Sequence, residues 1–129
     1  MAYMKLLLAI AIGGAAGALG RHFVGVAASA WLGHGYPWGT LVVNILGSFA
    51  MGVLIEFMAL SWSPSPELRA LLTVGFLGAF TTFSTFSLDA ATLYERGAQM
   101  SAALYVLASV ALSIAGLFAG MRIMRAVLQ

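Results

Sequence analysis

The sequence predicts an all-α membrane protein with four transmembrane helices, the third of which is broken at mid-membrane. Three observations support this fold class: the composition, four charge-poor stretches, and a cluster of hydroxyl residues within the third stretch. Hydrophobic residues make up 62% of the 129-residue chain and charged residues only 8%, against ~25% charged residues in soluble domains. A chain this short leaves much of its area facing the solvent. That solvent must therefore be lipid.

Charge, cysteine content and motifs exclude several classes of function. A net charge of +2 is too small to indicate a nucleic-acid partner. Because the chain has no cysteine, it has neither a disulfide framework nor a thiolate metal site. Metalloprotease, nucleophile-elbow and phosphate-loop motifs are absent from the sequence, as are paired carboxylates at mid-membrane. We therefore expect not an enzyme but a protein that passes a solute or packs in the membrane.

The four charge-poor stretches form a single transmembrane domain. A transmembrane helix needs ~20 mostly apolar residues, and the predicted spans cover roughly residues 4–32, 38–60, 67–93 and 97–123. Between the second and third spans, Ser65 suits a helix cap, Pro66 the first helical position and Glu67 the first turn. These three residues predict a loop followed by a helix start.

The first span contains Arg21, which would cost at least ~2.5–3.5 kcal/mol at mid-bilayer. We therefore expect Arg21 near one end of the span, where it either snorkels to the interface or attracts anions to a vestibule. Gly13, Gly17 and Gly25 share its helix face and predict close packing. A cleaved signal peptide is the alternative for this stretch, but the apolar run resumes after Arg21 and three further spans follow.

The second span carries small and polar residues on one helix face, at Thr40, Asn44, Gly47, Ser48 and Met51. The amide of Asn44 is unusual inside a membrane and requires partners. Its NH₂ group offers two donors, which can serve an anion or bind a neighbouring helix, and the sequence leaves both interpretations open.

The third span contains a dense cluster of hydroxyls, since five of the seven residues from 81 to 87 are Ser or Thr. Such side chains take over the backbone hydrogen bonds of a broken helix, so we expect an interruption at about mid-span. Carbonyls freed there can coordinate a cation. The alternative is a continuous helix whose hydroxyls bond their own i−4 carbonyls. Phe80, Phe83 and Phe86 step by three residues, and beside the hydroxyls they suggest a lined path.

The fourth span repeats the polar pattern at four-residue steps, with Ser101, Tyr105, Ser109 and Ser113. Hydrogen bonding between helices, worth only ~0.6 kcal/mol on average, is the simpler interpretation of these hydroxyls. Glu56 and Asp89 lie near span ends, where each can pair with an arginine.

The cations divide unevenly between the two sides of the membrane. Lys5, Arg69, Arg122 and Arg125 lie on the side of the N-terminus, and Arg21 and Arg96 lie on the other. Positive-inside reasoning places both termini in the cytoplasm, but so small a bias leaves insertion in either orientation open.

Three strings together closely resemble the Fluc (CrcB) family of fluoride channels. They are GAAGALGR at residues 14–21, GTLVVNILGSF at 39–49, and GFLG at 75–78 followed by TTFSTFS at 81–87. The resemblance covers nearly the whole chain, in order. It implies a passive fluoride channel of the bacterial inner membrane that relieves fluoride toxicity, built as an antiparallel dual-topology homodimer with two pores and a structural Na⁺ at its centre.

The resemblance also implies roles for individual residues. The sodium ligands would be the backbone carbonyls of Gly78 and Thr81, and the vestibule arginine would be Arg21. The fluoride pore would be lined by Thr40, Asn44, Phe83, Ser84, Thr85, Phe86, Tyr105, Ser109 and Ser113. The chain departs from many relatives at Ala79, where they have Gly, and at Asp89, where they have Glu.

Uncharged donors suit the conduction of fluoride. The ion is strongly hydrated, so a pore must replace its water with amide and hydroxyl donors and with the positive edges of aromatic rings, yet hold it loosely enough for it to leave. Two alternatives stay open: a small dual-topology multidrug-type exporter, which needs a membrane-embedded carboxylate that the first span lacks, and a packing subunit that transports nothing.

Overall fold

The computed structural model describes residues 1–129, and its regular structure is entirely helical. Its elements are α1 (Ala2–Leu32), α2 (Trp38–Leu60), α3 (Pro66–Ala70), a π-helical segment (Leu71–Leu77), α4 (Gly78–Phe80), α5 (Phe83–Glu95) and α6 (Gln99–Leu128). Four helical stretches are long and apolar enough to cross a membrane, and the third of them runs from Pro66 to Glu95. The predicted all-helical architecture with four spans is confirmed, and the chain is a multi-pass membrane protein.

Local sequence signals set the ends of several helices. The hydroxyl of Ser65 accepts a hydrogen bond from the amide of Leu68 at 3.2 Å, and Pro66 occupies the first helical position, as the sequence predicts. Gly33 ends α1 with a φ of 89°, and Gly97 makes the turn before α6 with a φ of 82°. Both backbones lie in the left-handed region, which favours glycine.

Helices α2 and α6 pack with their backbones in direct contact. A Cβ at Gly52 would overlap the carbonyl of Leu117 on α6, which is close packing of the kind that small residues permit in membranes. At one end of this pair, Arg125 donates to the carboxylate of Glu56 at 2.8 Å. Glu56 is only 5% exposed. It pairs with an arginine, which is one of the interactions that the sequence allows for a carboxylate near a span end.

The largest buried cluster centres on Tyr105, which α6 places against α2 and α5. Its side chain is fully buried and packs with Leu41, Phe86 and Leu93. Its hydroxyl donates to the carboxylate of Asp89 at 3.1 Å. Asp89 therefore pairs with a tyrosine rather than with an arginine, and this hydrogen bond ties α5 to α6 on one side of the break.

Candidate functional site: a helix break beside a hydroxyl-lined cavity

The third span is interrupted at two residues, Thr81 and Thr82. Both have extended backbones, with φ and ψ of −86° and 160° at Thr81 and −154° and 119° at Thr82. The hydroxyl of Thr82 then caps α5 by accepting from the amide of Thr85 at 3.2 Å. The interruption that the hydroxyl cluster predicts is present here, and the second threonine of the break caps the helix that follows.

Asn44 on α2 satisfies the broken backbone. The amide of Thr82 donates to Asn44 Oδ1 at 2.8 Å, and Asn44 Nδ2 donates to the carbonyl of Thr82 at 3.0 Å. Of the two interpretations that the sequence leaves open, contact with a neighbouring helix is therefore present. One of the two N–H donors of the amide is engaged in it, and the other remains available to a ligand.

The break frees the backbone carbonyls of residues 78–81 from helical hydrogen bonds, and those of Gly78 and Thr81 are among them. In a continuous helix the amide of Thr82 would donate to Gly78 and the amide of Thr85 to Thr81. Instead, these amides donate to Asn44 and to the hydroxyl of Thr82. Carbonyl oxygens are ligands that suit a hard cation, so the two residues that the resemblance singles out for Na⁺ have the required chemistry.

Arg21 donates from Nε to the carbonyl of Ala79 at 3.1 Å. Its guanidinium therefore lies beside the last turn before the break, and a cation is favourable at such a carbonyl end of a helix. The contact joins α1 to the third span across 58 residues of sequence. Arg21 thus contacts the residues just before the break, and it also lines the larger of the two cavities beside it.

A cavity of about 370 Å³ lies beside the break and is bounded by three spans. The second, third and fourth spans contribute the side chains of Asn44, Ser48, Phe83, Phe86, Ser109 and Ser113, among others. The hydroxyls of Ser109 and Ser113 are buried there without a hydrogen-bond partner. A buried hydroxyl left unpaired costs about 1–3 kcal/mol, and neither hydroxyl bonds to a neighbouring helix in this chain. Both are available to a ligand in the cavity.

The two phenylalanines after the break differ sharply in exposure. Phe86 is 8% exposed, whereas Phe83 is 78% exposed, and their ring centroids lie 5.4 Å apart. Phe80 does not join them, because the break separates it from α5, and its ring stacks on Phe76 instead. The regular three-residue spacing is therefore not one continuous stripe.

A larger cavity of about 1000 Å³ lies on the other side of Thr82, which lines both spaces. Arg21 and Arg96 supply it with positive charge, and Thr40 and Thr85 supply hydroxyls. Tyr36, in the loop before α2, also lines it, and burial raises the pKa of Tyr36 above its ordinary value.

The remaining hydroxyls of the third span are less central. Ser84 is exposed, and its hydroxyl lies 3.4 Å from that of Thr82, but it lines neither cavity. Thr81 and Ser87 bond their own i−4 carbonyls at 2.9 Å, as the continuous-helix alternative expects for hydroxyls in a span.

Two hydroxyl residues that line the smaller cavity, Ser48 and Thr82, are missing from the predicted site residues, as are the apolar Val110 and Ile114. Ser48 shares the predicted polar face of the second span, so its position was readable from spacing. Thr82 acts through its backbone, which bonds Asn44, and through its hydroxyl, which caps α5. The signal for it in the sequence was a threonine, a favoured N-cap residue, at the point where the helix resumes.

Comparisons with known proteins show the family of the chain. Residues 8–121 match the family model described as CrcB-like protein, Camphor Resistance (CrcB). The chain is 58% identical over 122 residues to the fluoride-specific ion channel FluC of Rhodospirillum centenum, covering 95% of this chain and 97% of that one. It is 56% identical over 125 residues to the fluoride-specific ion channel FluC of Chelativorans sp., covering 97% of this chain and all of the relative.

Proposed function

Because the chain belongs to the CrcB family, we propose that it is a fluoride-specific ion channel through which fluoride crosses the cell membrane passively. One observation carries the proposal beyond family membership: two buried serine hydroxyls without partners, Ser109 and Ser113, face a cavity between three spans. Donors that have no partner in the protein are what a small, strongly hydrated anion requires.

Fluoride would exchange its water for a set of uncharged groups in the smaller cavity. Ser109 and Ser113 offer hydroxyls, and Asn44 offers the N–H that does not bind Thr82. Phe83 and Phe86 offer the positive edges of their rings. Because none of these groups is ionised, the ion is held loosely enough to leave, as conduction requires.

Arg21 and Arg96 in the larger cavity would raise the local concentration of anions before they enter the pore. The direction of net flow follows from the gradient. A cytoplasm at negative potential favours the exit of an anion by about 2.3 kcal/mol per 100 mV, so a passive fluoride channel empties a cell that has accumulated fluoride.

The working unit in this proposal is an antiparallel, dual-topology homodimer. The weak charge bias of the sequence leaves both insertion orientations open, and Phe83 at the cavity is 78% exposed in the single chain. A two-fold partner presents the same surface in return. It would cover Phe83 and complete two equivalent pores.

A structural Na⁺ at the dimer centre is part of the same proposal. The freed carbonyls of Gly78 and Thr81 would hold it, and two carbonyls from one chain leave the shell for the partner to complete. When bound, the ion supplies a fixed positive charge that lowers the cost of placing an anion nearby.

The alternative of a proton-coupled exporter is not favoured by the acidic side chains. Glu56 is buried but forms an ion pair with Arg125, and Asp89 accepts the hydroxyl of Tyr105. Both carboxylates are therefore bonded to side chains of the protein itself, which leaves neither as an unpaired binding site for a cationic drug.

The proposal is tested by fluoride efflux from liposomes that contain the purified protein, with a potassium ionophore to balance charge. We expect rapid release of fluoride and no release of chloride. Replacing both Ser109 and Ser113 by alanine should slow the release, whereas Ser101→Ala, on the same helix but outside both cavities, should not. A folded, dimeric wild-type protein that releases no fluoride would show that it is not a channel.

A further inference from the structure

Helix α1 and the π-helical segment touch backbone to backbone at three glycines. Gly13 and Gly17 face backbone carbonyls of the π-helical segment, and a Cβ at either position would overlap them. Gly75, within the segment, faces α1 in return, and a Cβ there would lie 2.7 Å from the carbonyl oxygen of Ile10. Only glycine permits this approach at all three positions.

The same face of α1 continues to the break. Gly13, Gly17 and Arg21 follow one another at four-residue steps, which places them on one side of the helix. The glycines contact the π-helical segment, and Arg21 donates to Ala79 at the end of α4. One face of α1 therefore contacts the third span from the π-helical segment to the carbonyl of Ala79, just before the interruption.

The π-helical segment affects the direction in which the residues after it face. The amide of Gly78 is shared between the carbonyls of Gly75 and Thr73, three and five residues back, and the second of these is the π-type hydrogen bond. A π turn holds about one residue more than an α turn, which corresponds to a rotation of roughly 100° for whatever follows. Such turns are rare, and this one is packed backbone to backbone against α1.

We propose that the glycine contact between α1 and the π-helical segment sets the position of the break. In this role Gly13, Gly17 and Gly75 are positioning residues: none of them lines either cavity. They fix where the carbonyl of Gly78 faces and keep the amide of Thr82 within reach of Asn44. The consequence for flux rests on the proposed channel function, but the consequence for the break does not.

The chain offers a clean spectroscopic probe of the break, because Asn44 is its only asparagine. Protein labelled with ¹⁵N-asparagine gives a single pair of side-chain NH₂ signals, which report the hydrogen bonds between Asn44 and Thr82. The test compares these signals in folded Gly17→Ala and Gly14→Ala proteins. Gly14 is the matched control, since a Cβ there would lie 4.0 Å from the nearest atom, the carbonyl oxygen of Gly75.

We expect Gly17→Ala to shift or split the Asn44 signals and to lower fluoride flux per folded protein by roughly tenfold or more, since small displacements of a site's supporting residues are costly. Gly14→Ala should match the wild type in both readouts. If Gly17→Ala does not fold, Gly75→Ala takes its place, because its 2.7 Å contact is the mildest of the three overlaps.

A folded variant at position 17 or 75 with wild-type Asn44 signals would overturn the inference, even if it were less stable, because a purely structural role lowers stability without moving the signal of the folded state. The two proposals fail separately. A wild-type protein that conducts no fluoride contradicts the channel function, whereas the comparison of Asn44 signals does not depend on flux.

Discussion

At the scale of single residues, Asn44 bonds both backbone groups of Thr82 with one side chain: its Oδ1 accepts from the amide that has lost its helical partner, and its Nδ2 donates to the carbonyl. An unpaired buried backbone group is costly, so this pairing stabilises an extended residue inside a span. Ser109 and Ser113 of α6 show the opposite condition, because their hydroxyls are buried and unpaired. One set of polar groups is used by the protein, and the other is left for a ligand.

Isoleucine at either Phe83 or Phe86 should reduce fluoride flux, because an aliphatic side chain lacks the positive ring edge. The two changes should differ in stability. Phe86 packs against Tyr105 with ring centroids 5.4 Å apart, and such a pair is worth about 0.5–1.5 kcal/mol beyond burial, whereas Phe83 is exposed in the single chain. Liposome efflux and thermal unfolding measure the two effects.

The control for this pair is Phe23→Ile on α1, since Phe23 is exposed and lines neither cavity. Its flux should equal that of the wild type. Undiminished flux in the Phe83 and Phe86 double variant would remove the aromatic lining from the proposed pore.

At the scale of elements, the third span is one membrane crossing made of two helices in sequence. Its first part is held by α1 through glycines and Arg21, and its second part is held by α6 through Asp89 and Tyr105. Between them, Asn44 on α2 binds the break. Each of the other three spans thus fixes a different part of the third.

Loss of the helix cap at Thr82 should lower both the stability of the protein and its fluoride flux. Thr82→Ala removes the hydroxyl that accepts from Thr85, and loss of such a cap costs about 0.5–2 kcal/mol. Because the capped helix begins at the break, we also expect lower flux. Ser65→Ala is the comparison, since it removes an exposed cap of the same kind far from the cavities. Unfolding and efflux are measured on both; equal flux in the two variants would contradict a role for the cap in the pore.

Features of the fold that depend on local chemistry can be predicted from the sequence. Four spans follow from charge and length, and the start of α3 follows from Ser65 and Pro66. The break was expected within the hydroxyl cluster, but its exact residues depend on Asn44, 38 positions away. The π-helical segment was not predicted, because it depends on contact with α1. Phe80 was grouped with Phe83 by spacing, and the break in the backbone separates them.

At the scale of the whole molecule, the ionised groups lie largely at the two ends of the bundle. One carboxylate there is buried in the pair between Glu56 and Arg125, and the residues that line the smaller cavity are all uncharged. An antiparallel partner is the remaining element of the proposed channel, and it requires that the chain insert in both directions.

Pinning the orientation should therefore abolish flux. Ser63→Lys together with Gln129→Lys adds two cations to the side that already carries most of them, which strengthens the positive-inside signal. We expect the chain to insert in one orientation, as mapped by labelling a single introduced cysteine from each side of the membrane, and fluoride efflux to disappear. Ser63→Gln with an unchanged Gln129 controls for side-chain size. Full flux from a chain with a single orientation would exclude the antiparallel dimer.

The interruption at Thr81 and Thr82 has one more consequence, which concerns polarity. Where α4 ends, the backbone presents carbonyl oxygens that make no helical hydrogen bond, of which that of Ala79 accepts from Arg21. Where α5 begins, a few ångströms further along the chain, the backbone presents amide hydrogens. A single discontinuity thus exposes a negative pole and a positive pole side by side at mid-membrane. Two extended residues are enough to give an apolar helix one surface for a cation and another for an anion, without placing an ionised side chain in the span's interior.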